Sequence, residues 1–492
     1  MLKRLLSAAG LALAVCAPQS ANATIVYLAN GSLTGSAAGA GVDLSGLTGA
    51  LENGQPGNIL GGIGSGLAYA GGNTFIATPD RGPNAVAYNS AIDDTTSYVS
   101  RFQTLTLDLT ASTSGGLPFT LSPTLTATTL LYSPTPLIYG TGAGLGNQID
   151  GSPLGSGAPT INTATASYFT GRSDNFAAGS SGNPLNGRFD PESVRVSGDG
   201  KSVFISDEYG PYIRQFDRAT GELLNTVALP ANLDVTNQSS KGDTEIAGNT
   251  VGRVANKGME GLAITPDGKT LVGAMQANLE QDPSGLVRIV TVDVATGVTH
   301  EYGYKLTTGS GVSDIVAIND HQFLVDERDG KGLGDGSTAK VKQFFVIDTA
   351  GATDITALSG AAAQSATGVT KSSKPFIDLV SALTAAGIPA NQIPAKIEGL
   401  AFGQDVTYEG ATYHTLVVAN DNDFVSATAG ANQFFVFGFQ DSDLPGYVAQ
   451  QFAGAVPEPA SWAMMMAGIG GIGGLLRRRR SKGVRDSALS LG

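Results

Sequence analysis

The sequence predicts an all-β protein, a β-propeller built from four-stranded antiparallel blades. Glycine abundance, scarcity of charge and a recurring hairpin unit carry that reading. Glycine supplies 67 of 492 residues and charged residues only 14%, against typical values of about 7% and about 25%. Hydrophobic residues at 41% are enough for a large core, which excludes disorder throughout. No Gly-X-Y period is present, which excludes collagen, and no Glu/Lys/Leu heptads support a long coiled coil.

The hairpin unit is an acidic or small residue, a short apolar strand, a tight turn, a second apolar strand and an acidic or amide ending. A degenerate first copy runs from Ser65 to Tyr69, through Gly71-Gly72-Asn73, and back from Phe75 to Asp80. The second rises from Glu192 to Val196, turns at Gly198-Asp199-Gly200-Lys201 and returns from Val203 to Glu208. The third rises from Glu260 to Ile264, turns at Pro266-Asp267-Gly268-Lys269 and returns from Leu271 to Gln276. The fourth pairs Asp314–Ile318 with Phe323–Glu327, and the fifth pairs Glu398–Phe402 with Leu416–Asp421 across a longer insertion. Asp-Gly between apolar runs is a strong hairpin signal because its turn twists with the strands. An alternating strand follows each unit, as in Phe102–Asp108, Ile213–Asp217, Val287–Asp293, Gln343–Asp348 and Gln433–Phe437. Several continue through a turn into a fourth strand, such as Leu223–Leu229. Such a repeat, set around a ring, is a propeller. Five units are visible, and a sixth could hide in the irregular Gly/Ser/Asn/Thr-rich insertion 140–187. The last unit lacks a fourth strand, so the unpaired strand Thr24–Ala29 is expected to close the ring beside it.

The two ends read as addresses. Residues 1–23 have a basic start at Lys3 and Arg4, an apolar run from Leu5 to Val15 and Ala21-Asn22-Ala23, the pattern of a Sec signal peptide. Cys16, the only cysteine, lies there, so the mature body offers no disulfide, thiolate or Cys-based zinc site. The tail 456–492 carries Val456-Pro457-Glu458-Pro459, a short apolar run at 462–476 that reads as a brief membrane segment, and the basic stop Arg477–Arg480. This order resembles the PEP-CTERM sorting signal of Gram-negative bacteria. The resemblance implies an exosortase as partner, cleavage near the motif, and a final place in the cell envelope or outside the cell. The domain between, 24–455, is more acidic than the whole-chain charge of -13, because the leader takes Lys3 and Arg4 and the tail is strongly basic. So acidic a body excludes a nucleic-acid partner, which needs a basic face, and suits capture of cations.

Several pieces of the body also resemble the phytase-like domain family, "esterase-like activity of phytase". They are Thr78–Pro83, Asp190–Val194, Ser206–Gly210, Asn256–Gly261, Asp326–Gly330, Glu398–Ala401 and Asn420–Phe424, in family order. The resemblance implies hydrolysis of phosphate or carboxylic esters, with a small anionic ester as substrate.

In a propeller the first strand of each blade lies innermost, and its start sits beside the end of the second strand. Glu192, Glu260, Asp314 and Glu398 are therefore expected at one channel mouth, with Asp80, Asp207, Asp326 and Asn420 ending their strands there. Crowded carboxylates raise one another's pKa unless a cation neutralises them. An oxygen-only ligand set suits a hard cation, Ca²⁺ above Mg²⁺. The same acids could instead accept backbone N–H groups from neighbouring blades. Arg81, Lys257, Arg328 and Lys396 fall near these acids and are expected to bind an anionic group, or else to pair with the acids. Glu208 and Glu327 are the candidate general bases assisting a metal-activated water. The chain has no G-x-S-x-G elbow, and its three histidines, His300, His321 and His414, lie away from the mouth, which disfavours a serine triad or zinc site. The competing function is a non-catalytic propeller that binds exopolysaccharide at the cell surface and uses calcium only structurally.

Overall fold

A computed structural model describes residues 25–33, 41–86, 95–139, 158–174 and 176–452. The signal segment, the sorting tail with its 462–476 run, and much of the 140–187 insertion lie outside the described residues. Strand β1 (Val26–Leu33) comes first among the described residues. Blade one is the meander β2 (Gly66–Tyr69), β3 (Thr74–Thr78), β4 (Arg101–Ala111) and β5 (Phe119–Leu130). A small ribbon, β6 (Tyr132–Ser133) with β7 (Ser167–Tyr168), leads to blade two: β8 (Pro191–Val196), β9 (Ser202–Asp207), β10 (Ile213–Asp217) and β11 (Leu223–Val227). Blade three is β12 (Met259–Ile264), β13 (Thr270–Met275), β14 (Leu286–Asp293) and β15 (Thr299–Lys305). Blade four is β16 (Gly311–Ala317), β17 (Gln322–Arg328) and β18 (Lys342–Asp348), edged by β19 (Thr370–Lys371) and β20 (Ile377–Asp378). Blade five contains β21 (Lys396–Phe402), β22 (Val406–Tyr408) paired to β23 (Ala411–Asp421), and β24 (Asn432–Phe439). Its outer strand is β1, antiparallel to β24 from Val26 opposite Gly438 to Leu33 opposite Asn432. The described residues thus form five blades, closed by the N-terminal strand. The described part of the insertion supplies β7 to the ribbon and packs Phe169 between Phe189 and Phe216.

The strand pattern explains the sequence pattern. Inner hairpins are sandwiched between neighbouring blades, so every residue of β8, β9, β12 and β16 is buried, with an apolar segment such as Leu262–Ile264 or Ile315–Ala317 below the polar residues that face the axis and the mouth. Outer strands alternate because one face meets solvent, as in β5. The turns at Gly200 and Gly268 both require φ near +73°, a region where only glycine is free of strain. Four apolar clusters are each shared by adjacent blades, so no blade buries its own core alone.

On the axis, Arg195 of β8 meets Asp314 of β16. Arg195 Nη2 lies 2.9 and 3.0 Å from the two carboxylate oxygens of Asp314, and 2.8 Å from the Ile315 carbonyl. Its Nη1 donates to the Leu67 carbonyl of β2 at 2.6 Å. Asp314 also accepts from Leu400 N of β21 (2.8 Å) and from Ser193 Oγ of β8 (2.9 Å). The fifth inner strand approaches through Gly261, where a Cβ would stand 3.0 Å from the Asp314 backbone. One buried ion pair therefore binds four of the five inner strands together, and the fifth packs against the Asp314 backbone.

Removing one partner of a buried pair leaves an uncompensated charge, a loss of about 3–5 kcal/mol. Asp314→Ala is expected to destabilise the fold by that amount in urea denaturation. A loss below about 1 kcal/mol would show that the axis does not depend on this pair.

Candidate functional site

The mouth is built by backbone irregularity as much as by side-chain choice. Pairing between first and second strands slips by one residue in four blades, between Pro191 and Val194, Met259 and Gly261, Val312 and Ile315, and Ile397 and Gly399. Such a bulge re-aims the extra residue. It places Glu192, Glu260, Ser313 and Glu398 at one equivalent position, with Ser65 corresponding in blade one. The next position, occupied by Ser193, Gly261, Gly399 and Gly66, faces the neighbouring inner strand at close range. Asp314 falls at this second position. It is therefore an axial residue and not a mouth residue, one place out of step with Glu260.

The second strands show the same offset. The partner registers make Asp80, Glu208, Gln276, Arg328 and Asp421 equivalent, and these face the mouth. Asp80 was expected there, but Asp207, Asp326 and Asn420 lie elsewhere. Asp207 turns away and accepts Asp190 N at 2.8 Å and Gly210 N at 2.5 Å, so it positions the Asp190 loop. Asn420 accepts Gln433 N at 2.6 Å. Asp326 is fully buried with no hydrogen-bond partner for either oxygen among the described residues. Burial pushes its carboxyl well above the usual range, against the pull of Arg328 and Lys342.

Glu327 is also displaced from the mouth, since its side chain inserts toward blade three. It accepts the Tyr304 hydroxyl at 2.5 Å and Thr308 Oγ1 at 2.8 Å, and pairs with Lys371. Burial opposes ionisation there, but Lys371, Tyr304 and Thr308 prevail and hold the carboxyl at about 2. A carboxylate so stabilised and enclosed is a poor general base, so Glu327 does not fill the role its sequence position suggests.

Three charge groups remain at the mouth. In the first, Asp190, Glu192 and Glu208 each place one carboxylate oxygen within 4.8 Å of the others, and all three are buried. Arg81 borders this group, with Nη1 3.2 Å from Asp190 and 3.7 Å from Glu208, and contacts Asn256. Glu192 is 6% exposed and has no hydrogen bond or ion pair among the described residues. Burial first, then Glu260, Asp190 and Glu208, pushes Glu192 well above its ordinary value; burial and Glu260 do the same to Glu208. In the second group, Lys396 Nζ sits 2.5 Å from Asp421, 2.8 Å from Asp423 and 3.7 Å from Glu398, beside Asp80. Burial raises Asp80 to about 7 although Lys396 draws it down. In the third, Arg328 pairs with Glu398, contacts Ser313 and approaches Glu260 at 3.4 Å, while Gln276 donates to Glu260 at 2.9 Å. Burial and the Glu398 charge lift Glu260 to about 8.

Lys257 is exposed beside Asn256 and outside these groups. Arg188 stacks on Tyr209, 4.1 Å from its ring, and Tyr209 and Tyr212 donate to backbone carbonyls of Gly171 and Asn183, so these rings are packing elements. The histidines pair with Asp354, Asp348 and Asp405, away from the mouth. Sequence reasoning missed Asp190, Asp421 and Asp423 as site members. The Asp190-Pro191-Glu192 string and the Asp421-Asn422-Asp423 run were the available signals.

The acid-rich mouth gives a definite pH dependence. Glu260, Asp80 and Asp207, the last raised to about 7 by burial, keep protons in the fold that the unfolded chain releases near pH 4–4.5. The stabilisation they give is complete below that range and is lost as pH rises toward 8. His414, raised by Asp405 and Asp441 despite burial, adds in the same direction. Glu327, being lowered, contributes a stability already complete above pH 4.5. With chelator present, unfolding free energy should therefore fall between pH 5 and pH 8, by at most about 1.4 kcal/mol per pH unit for each such carboxyl. A flat or rising profile in urea titrations would contradict this picture.

Residues 58–424 match the family described as "Phytase-like: Esterase-like activity of phytase", and residues 455–480 match the PEP-CTERM protein-sorting motif. The chain belongs to the phytase-like family. An uncharacterized secreted protein of Arthroderma benhamiae is 29% identical over 298 residues, covering 51% of this chain and 53% of that protein, so the chain spans about half of that relative's length. Among solved structures, a putative 6-phosphogluconolactonase from Bacteroides uniformis is similar at 14% identity, TM-score 0.29, over 80% of this chain and 92% of the other. A PQQ-bound aldose sugar dehydrogenase from Streptomyces coelicolor is similar at 9% identity, TM-score 0.31, over 86% and 100%. The sorting motif places the protein among exported chains destined for the cell envelope or beyond.

Proposed function

We propose that this exported phytase-like propeller hydrolyses phosphate or other esters at its channel mouth, with a hard divalent cation, Ca²⁺ foremost, held by Asp190, Glu192 and Glu208. The single observation that carries the reading is the convergence of these three buried carboxylates within 4.8 Å, one of them, Glu192, without a partner among the described residues. The donor set fits the group: all-oxygen ligands, spaced as they must be when each lies about 2.3–2.6 Å from a common ion. Neutralisation would also relieve the mutual repulsion that raises Glu192 and Glu208. When bound, the cation would supply Lewis acidity toward an ester oxygen and acidify a water.

The chain's own groups have separate tasks. Asp207 fixes the backbone of Asp190, and Arg81 N donates to Asp190 Oδ1 at 2.8 Å, so that ligand is held from two sides. Arg81 borders the group and suits an anionic substrate oxygen. Glu260, poised near neutrality, can take or return a proton.

A second reading draws on the other side of the mouth. Arg328 and Lys396 are committed to Glu398, Glu260, Asp421 and Asp423, so neither is free to engage a substrate. Internally paired charge of this kind favours a non-catalytic propeller that binds envelope exopolysaccharide and uses calcium structurally.

Purified mature protein should turn over p-nitrophenyl phosphate, p-nitrophenyl acetate or phytate with calcium and lose that turnover in EDTA. Glu192→Gln should weaken calcium binding at least tenfold by calorimetry while unfolding stays cooperative, and Asp314→Asn should leave affinity unchanged where it folds. Calcium binding without turnover of any ester supports the second reading. No binding at all removes the metal from both.

A further inference from the structure

We propose that Lys396 is a built-in cation: it closes the blade-five corner, the counterpart of the Asp190–Glu192–Glu208 group, to a divalent ion, so that the mouth takes one ion rather than two. The inference rests on the reading of the blade-two group as an ion site and deepens it.

The correspondence between the two corners comes from strand register. In blade two Glu208 N donates to the Asp190 carbonyl at 3.0 Å, two residues before Glu192. In blade three Gln276 N donates to the Gly258 carbonyl at 2.8 Å, two residues before Glu260. Gly311 stands opposite Arg328, two residues before Ser313, and Lys396 stands opposite Asp421, two residues before Glu398. These four pairs occupy one place in the blade, on the mouth side of the bulge. Its first-strand member is glycine in blades three and four, Asp190 in blade two and Lys396 in blade five. Blade two thus sets Asp190, Glu192 and Glu208 at its corner, and blade five sets Lys396, Glu398 and Asp421. Where one corner has a carboxylate, the other has an ammonium.

The blade-five corner regains its acids from outside the hairpin. Asp423, on the turn after β23, and Asp80, beyond β3, join Asp421, and each of the three places one oxygen within 4.8 Å of the others, the same spacing as in blade two. Asn422 fixes that turn, since its Oδ1 accepts Gly62 N at 2.9 Å and Phe424 N at 3.2 Å. Lys396 Nζ stands among these acids, 2.5 Å from Asp421, 2.8 Å from Asp423 and 3.7 Å from Glu398. A calcium ion would need the same oxygens at about 2.3–2.6 Å. Nζ already holds that place, so ion and ammonium exclude each other. The ammonium is a compact point charge attached to β21 and arrives with folding, whereas an ion must come from solvent. The glutamates record the difference: Glu398 pairs with Arg328 and Lys396, while its counterpart Glu192 has no partner among the described residues.

The test titrates calcium alone into the mature protein by calorimetry, with urea unfolding to confirm a cooperative fold. The unaltered protein is expected to bind one ion, and Asp423→Asn to leave that affinity within twofold, because Asp423 serves Lys396. Lys396→Gln removes the ammonium and is expected to bind two ions. Adding Asp423→Asn to it should weaken the second ion at least tenfold and spare the first. If Lys396→Gln folds only with calcium present, that dependence reports the same second ion; if it folds under neither condition, Asp423→Asn in the unaltered background decides. No ion in the unaltered protein but one in Lys396→Gln removes the metal from blade two and upholds the role of Lys396. Two ions in the unaltered protein, a tenfold loss of affinity on Asp423→Asn, or a folded Lys396→Gln that gains no ion overturns it.

Discussion

The ring depends on one buried ion pair. Five inner strands must approach a common axis closely, and their backbones leave no room there for five side chains. Gly66, Gly261 and Gly399 solve the steric part, since a Cβ at each would press on the neighbouring strand. Arg195 and Asp314 solve the polar part. They satisfy each other and also bond to the backbones of β2, β16 and β21, so desolvation of the two charges is offset by several hydrogen bonds at once. Placed away from the axis, the same pair would hold two blades together; on the axis it ties β2, β8, β16 and β21 to one another.

The register has consequences a few ångströms higher. Because each inner strand except β2 bulges just above the axis, the residue before the tightly packed small position is turned toward the mouth. Three of those residues are glutamates, and the second strands add Asp80, Glu208 and Asp421. Acid is thus concentrated by geometry, and the counter-charges are uneven. Lys396 and Arg328 sit among the acids of blades three to five, whereas Asp190, Glu192 and Glu208 have Arg81 at their border, and Arg253, which is paired to Glu245, reaches only Glu208. The imbalance is the physical ground for proposing a cation on the blade-two side and internal cohesion on the other.

The lower half of the channel has the opposite character. It is apolar, sealed by Tyr447–Gln450 and lined by the ends of the inner strands. The polar end of the ring is thereby separated from the end at which the described chain begins and finishes.

What the sequence determined was periodic: apolar runs buried on two faces, Asp-Gly turns that permit a tight hairpin, an unpartnered first strand available to close the ring, and acids gathered at hairpin ends. These follow from local propensity and spacing, and five blades with β1 as the closing strand are their direct outcome. Asp80, Glu192, Glu208, Glu260 and Glu398 were legible as mouth residues for the same reason. Their roles were not, and neither were the positions of Asp207, Asp314, Asp326, Asn420 and Glu327. A single extra residue in a strand reverses which face a side chain takes, and a bulge leaves no mark in the order of residue types. Only the tertiary structure, by fixing where each inner strand slips against its partner, decided that Asp314 holds the axis, that Glu327 belongs to Lys371 and that Asp190 joins Glu192 and Glu208.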